Sequence, residues 1–304
     1  MYHVQKAEAI RLAAPPGLDG RVEGLRRATL VGRDMGSVHT GFALVALDPG
    51  GWVGTHVHST EQSFFILRGH PQLTLDGRSY RLAPDECGLI PVGVAHAWRA
   101  ADGDEPLFLE MNSPAPRLPD ASQPDTFWTG EPVPEAAGES PDIRDPRSRT
   151  FFRLGEGQMD VDNLKAGAAV DAPTVSASMA TALLAYSGIA VKMLVDQRLG
   201  AVLHTMFMVE YQPGGVAQPH DHPFEETYYI LDGEVEAMAD DEHLVLKPGD
   251  VFWTGVGCVH AFWNKSSTRV RWLETQAPQP PANHSYRFNR DWDHLAEKLE
   301  KEGE

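Results

Sequence analysis

A chain of 304 residues is long enough for two domains of ordinary size, each burying its own core. Its 26 basic and 43 acidic residues leave a net charge of −17, so the molecule as a whole repels phosphate backbones and anionic lipid surfaces, which argues against nucleic acid or membrane as a partner. No apolar stretch approaches the roughly 20 residues that span a bilayer, and the N-terminal MYHVQKAEAIRLAAPPG lacks the apolar core of a signal peptide, so a cytoplasmic location is expected.

Prolines and glycines punctuate β-branched and aromatic runs throughout, which predicts an all-β chain of short strands. SVHTGFALVALDPG (37–50) reads as a strand entering a Pro-Gly turn. GGWVGTHVHSTEQSFFILRG (50–69) follows, then a strand near Tyr80, a PDE turn at 84–86, another strand, and a turn PVGVAH ending on His96. NSPAPRLPDASQPDTFWTGEPVPEAAGESPDIRDPRSR (112–149) is rich in Pro, Ser and acid. It reads as an extended surface linker, with Phe127 and Trp128 as the residues able to clip it onto a barrel.

The first pattern then recurs. AVLHTMFMVEYQPG (201–214) lies over 37–50 and GGVAQPHDHPFEETYYILDG (214–233) over 50–69, followed by HLVL, a PGD turn at 248–250 and GVGCVH ending on His260. His56 and His220, His58 and His222, Gly69 and Gly233, Pro84 and Pro248, His96 and His260 are each 164 positions apart. A register without gaps over this length marks an internal duplication. The expected limits are an N-terminal domain over 1–113, a linker over 114–150, a C-terminal domain over 151–290, and a short helix over 291–304 that places Trp292, Leu295 and Leu299 on one face. Each domain should be an antiparallel sandwich or barrel. Cys87 and Cys258 fall in different repeats with no CxxC context, which predicts two free buried thiols.

In the second repeat, His220 and His222 are two apart and share one face of a strand, Glu226 has the same parity, and His260 arrives from a separate turn. Three neutral imidazoles and a carboxylate suit a divalent transition metal among Mn, Fe, Co, Ni, Cu and Zn, and four ligands on an octahedral ion leave two positions open. The first repeat offers His56, His58 and His96 at the same spacing, with Gln62 where the other copy has Glu226. A neutral amide leaves the ion its full charge, and its oxygen is a weak optional ligand. Glu61 has the opposite parity and is expected to point outward. The competing reading, polar residues on a barrel wall, would hold for a lone histidine but not for two copies in register.

G214-x5-H220-x-H222-x3-E226-x6-G233, followed by G249-x5-G255-x-G257-x2-H260-x3-N264, resembles the two motifs of the cupin family, departing in Gly255 where the family usually has proline. G50-x5-H56-x-H58-x3-Q62-x6-G69 and P91-x-G93-x2-H96 keep the spacing. The resemblance implies a bicupin: two double-stranded β-helix barrels of the jelly-roll kind in one chain. Three-His sites resemble those of ring-cleaving Fe(II) dioxygenases of the gentisate and hydroxynaphthoate type. Three-His-one-Glu sites resemble those of oxalate decarboxylases, germins and quercetin dioxygenases, although no lid glutamate of the decarboxylase kind is evident.

The resemblance therefore implies a metal in each barrel, Fe(II) or Mn first. It also implies a small-molecule substrate chelated to the metal, most readily in a dioxygenase and alternatively in a lyase, isomerase or hydrolase. A binding or storage role fits poorly with intact ligand sets, and a homo-oligomer is left open. Phe64, Ile66, Tyr228 and Ile230 share the ligands' parity, and Trp98 and Phe262 lie two residues past the third histidine, so apolar interiors are expected. Among these, Tyr228 and Gln62 are the candidates for a catalytic role, Tyr228 as a hydrogen-bond donor to a bound oxygen ligand.

Overall fold

The computed structural model describes residues 1–117, 125–142, 150–155, 157–160 and 187–279, and the backbone of 287–288. The helix expected over 291–304 lies outside the described residues. Within them regular structure is almost entirely antiparallel strand, with 3-10 turns at Ala7–Ala9 and Arg33–Met35, and no helix is long and apolar enough to cross a membrane. Two compact units divide the chain. The described residues of Ile10–Leu154 and Leu194–His204 form an N-terminal unit, and those of Met1–Ala9, Gly155–Met193 and Thr205–Glu304 a C-terminal unit. The N-terminal strand Tyr2–Gln5 thus pairs with Val251–Thr254 in the C-terminal unit, while Phe151–Arg153 pairs with Glu86–Ile90 in the N-terminal one.

Both units use the repeat in the same way. In the C-terminal unit a six-stranded sheet faces the core together with a five-stranded sheet, and Thr205–Tyr211 in the first gives way to Val216–Asp221 in the second through the turn at Gly214. In the N-terminal unit the corresponding strand, Gly41–His58, runs unbroken through Pro49-Gly50 and joins the two layers into one ten-stranded sheet. The motif glycines have a steric cause. Gly69 and Gly233 adopt positive φ, and a Cβ there would lie 2.7 Å from the Pro106 backbone and 2.5 Å from the Arg269 carbonyl oxygen respectively.

Strand alternation sends one face of each sheet into the barrel. Ala43, Val45, Leu47, Phe64, Ile66, Trp98 and Phe108 pack in the N-terminal core, and Phe207, Val209, Tyr211, Tyr228, Ile230, Phe262 and Trp272 in the C-terminal core. Phe42, Leu44, Met206 and Met208 are also buried but lie outside these clusters, on the opposite face. Cys87 and Cys258 are free and buried.

Candidate metal centres

The six histidines converge as two triads. The ring nitrogens of His56, His58 and His96 lie within 4.8 Å of one another, and so do those of His220, His222 and His260. In each unit the first ligand strand pairs with the third-histidine strand, so that His56 faces His96 and His220 faces His260 after a bulge that brings the rings together.

Backbone carbonyls fix the tautomers. The Nδ1 of His56 bonds the Gly54 carbonyl at 2.7 Å and that of His96 the Val94 carbonyl at 3.0 Å. At the equivalent positions His220 bonds Gln218 at 2.6 Å and His260 bonds Cys258 at 3.0 Å. A carbonyl only accepts, so each Nδ1 carries the proton and each Nε2 offers a lone pair to the centre of the triad. His96 Nε2 is buried with no partner. Donors of this kind fit a divalent transition metal in both units.

Burial holds His56, His96 and His220 below the ordinary imidazole range and takes His58 down to about 3, with its neighbours His56 and Arg27 adding to the shift. The sign is set by linkage: below about pH 6.5 the unfolded chain takes up protons that these folded rings refuse. The denaturant midpoint of the chelated, metal-free protein should therefore fall steadily as pH is lowered from 7 to 5. A midpoint that does not move over this range would contradict the buried, neutral triads.

Glu226 joins the second triad. One carboxylate oxygen lies 3.3 Å from His222 Nε2 and 3.1 Å from His260 Nε2 and accepts from the Tyr228 hydroxyl at 2.5 Å, while the other accepts from Gln276 Nε2 at 2.7 Å. Burial alone would raise this carboxyl, but the two histidines and Tyr228 hold it below its usual range. Burial and nearby Glu226 push Glu274 well up, so Glu274 carries the proton of this pair, and they likewise push the Tyr228 hydroxyl up. His260, whose Nδ1 carries its proton, turns an Nε2 lone pair toward this carboxylate oxygen 3.1 Å away, an arrangement that a cation between them would relieve. Glu226 does not reach this position by strand parity. His222 lies beyond the end of Val216–Asp221, and a turn separates it from Glu225–Asp232.

In the first unit Gln62 takes that place, its Oε1 buried and unpartnered, with its side chain hydrogen-bonded to Glu110. Glu110 also lies 3.4 Å from Arg27 Nη2. Burial raises the Glu110 carboxyl, opposed by Arg27 and Gln62. Contrary to expectation, Glu61 is not solvent-facing. It points away from the triad but is 1% exposed, and it accepts from the backbone N–H groups of Val202, Leu203 and His204.

The two interiors differ in room. The first triad opens on a cavity of about 210 Å³ whose wall includes Arg27, Gln62, Trp98, Phe108, Glu110 and Trp128. The second opens on about 30 Å³, between the rings of Tyr211, Tyr228, Phe262 and Trp272, which pack against one another.

The segment read as linker contributes to the first site. Thr126–Trp128 adds a strand along His56–His58, Thr126 Oγ1 lies 3.0 Å from His58 Nδ1, and the Trp128 ring sits 5.1 Å from that of His56, while Phe127 is exposed. Arg27, Glu110, Thr126, Glu274 and Gln276 had not been singled out from the sequence. The repeat held a signal for two of them, since the same offset of 164 carries Glu110 onto Glu274.

Residues 43–111 and 207–275 each match the family model described as Cupin domain. No curated protein sequence matches the chain. Among solved structures, salicylate 1,2-dioxygenase from Pseudoaminobacter salicylatoxidans with gentisate is similar with a TM-score of 0.68 and 14% identity, over 91% of this chain and 81% of that one. Oxalate decarboxylase from Lactobacillus farciminis in a formate complex has a TM-score of 0.61 and 17% identity, over 96% and 90%. A putative glyoxylate-induced protein from Pseudomonas aeruginosa has 0.62 and 17%, over 93% and 90%.

Proposed function

From two cupin domains in one chain, a bicupin, we propose a metal-dependent oxidoreductase: a dioxygenase that holds a small aromatic or oxygenated substrate in its N-terminal barrel. The observation that carries this reading is the inequality of the two sites. Among the described residues, the His56, His58 and His96 triad alone opens on a cavity large enough for a substrate of several heavy atoms. A redox metal there, Fe(II) or Mn first, would supply Lewis acidity and electron transfer between a chelating substrate and O₂.

The chain's own residues set the rest. Nδ1 bonds to backbone carbonyls keep the Nε2 lone pairs of His56 and His96 inward, and neutral Gln62 adds no charge to oppose an anionic chelator. Arg27 is the one cationic side chain lining the cavity among the described residues, and it supplies a counter-charge for an acid group. Trp98, Phe108 and Trp128 give a flat apolar wall that excludes water. Oxygen uptake by metal-loaded protein against catechols, salicylates, β-diketones and 2-oxo acids tests the reading. Uptake with one of these classes supports it, and none with any class counts against it.

A second reading, a non-redox lyase, isomerase or hydrolase, draws on the C-terminal site. There a proton-bearing Glu274 stands beside Glu226 and Tyr228 in a space suited only to a very small substrate. Proton transfer next to a Lewis-acidic metal would need no O₂.

The charge argument yields a further expectation. Gln62→Glu places a carboxylate beside the first triad and should weaken binding of salicylate to the metal-loaded protein about tenfold or more, the scale of a single unscreened like charge. Tighter binding in a salicylate titration would show that charge does not govern this site.

A further inference from the structure

We infer that Glu110 is a positioning residue that turns the oxygen of the Gln62 amide toward His56, His58 and His96, so that Gln62 completes the first site as its fourth protein ligand. The inference rests on the metal-binding reading of that site. It starts from donor and acceptor character. The Gln62 side chain is hydrogen-bonded to the Glu110 carboxyl. Gln62 Oε1 has no hydrogen-bond partner, so this bond runs from the Gln62 NH₂ to the Glu110 carboxyl, which also lies 3.4 Å from Arg27 Nη2. Gln62 Oε1 is buried, as is the equally unpartnered His96 Nε2. A buried acceptor without a donor is unfavourable unless something outside the protein's own hydrogen bonds satisfies it.

The other repeat shows the same device with the characters exchanged. Gln276 donates to one oxygen of Glu226, and the other oxygen faces His222 and His260. By the offset of 164, Gln62 corresponds to Glu226, Glu110 to Glu274 and Asn112 to Gln276. Asn112 is one methylene shorter than Gln276, and its Oδ1 accepts from Thr60 Oγ1 at 3.2 Å. One barrel therefore fixes a carboxylate with an amide donor, and the other fixes an amide with a carboxyl acceptor. Each barrel presents one oxygen at the ligand position.

The test uses the full chain carrying His222→Ala, so that Co(II) reports the first site, by calorimetric titration and by its visible absorption. Glu110→Gln and Gln62→Ala are each expected to weaken Co(II) binding about tenfold, the low end of what the loss of a ligand's supporting partner costs. The double variant should bind no more weakly than either single one, because the two residues act as a unit. Gln62→Glu with Glu110→Gln together should regain the parent affinity.

Unchanged affinity in Glu110→Gln beside a weakened Gln62→Ala, or additive losses in the double variant, would overturn the positioning role, and unchanged affinity in Gln62→Ala would overturn the ligand itself. Where Glu110→Gln does not fold by circular dichroism, Glu110→Asp keeps the charge and withdraws the acceptor. It should show the same loss, and unchanged affinity in it overturns the inference. If His222→Ala protein binds no Co(II) at all, the metal-binding reading of the first site falls and takes the inference with it. Unaltered binding in Glu110→Gln overturns the inference alone.

Discussion

His58→Ala should lose nearly all O₂-dependent turnover of the metal-loaded protein, while His222→Ala keeps a substantial fraction. His58 is one of three imidazoles around the only sizeable cavity next to a triad among the described residues, and burial, with His56 and Arg27 nearby, holds it neutral. Removing it takes away a third of the nitrogen donors and adds no replacement. His222 belongs to a triad packed behind Tyr228 and Phe262, with room for little more than solvent. Its loss should release the second metal but leave the substrate cavity as it was. Oxygen consumption measured on both variants, with metal content and thermal melting measured in parallel, separates a catalytic loss from a folding loss. Equal partial losses would count against a division of labour between the barrels.

Glu61→Ala should cost the N-terminal unit about 3–5 kcal/mol, the range for removing one partner from a buried charged network. The Glu61 carboxylate receives N–H groups of Val202 at 2.8 Å, Leu203 at 3.0 Å and His204 at 3.3 Å, with His204 Nδ1 at 2.8 Å, and both side chains are almost fully buried. His204 Nε2 in turn meets Ser63 Oγ at 2.9 Å. Burial would raise this carboxyl, but His204 and the backbone N–H groups outweigh it and hold it below its usual range. A depressed carboxyl stabilises the fold above its unfolded value near 4.5 and loses that contribution as pH falls further. The Ala variant should thus show a lower denaturant midpoint at pH 7 and a smaller gap from the parent near pH 3. An unfolding free energy within about 0.5 kcal/mol of the parent at pH 7 would contradict the role given to Glu61.

The duplication, both triads and the inward faces were legible because each rests on a short-range rule. Strand alternation orients Phe64 and Tyr228, and fixed spacing from a Gly turn delivers His96 and His260. What escaped depends on chain that returns from far away. Glu61 was assigned to solvent because its strand face is opposite the ligands, yet residues 194–204 come back to cover that face. Thr126 and Trp128 sit in a proline-rich stretch whose composition predicts a surface linker, and only their pairing with His56–His58 brings them to the site. The difference in cavity volume goes with exchanges among the lining residues, such as Trp98 against Phe262 and Phe108 against Trp272, each unremarkable in a list of apolar positions.

The dioxygenase reading is tested most directly by isotopically labelled dioxygen. Metal-loaded protein is incubated with whichever substrate class drives oxygen uptake, and the product is weighed by mass spectrometry. Both atoms of one labelled O₂ should appear in the product of the parent and of His222→Ala, and in neither case should product form under nitrogen. Product that forms at the same rate without O₂ and carries no label would contradict the oxidoreductase and leave the non-redox reading in its place.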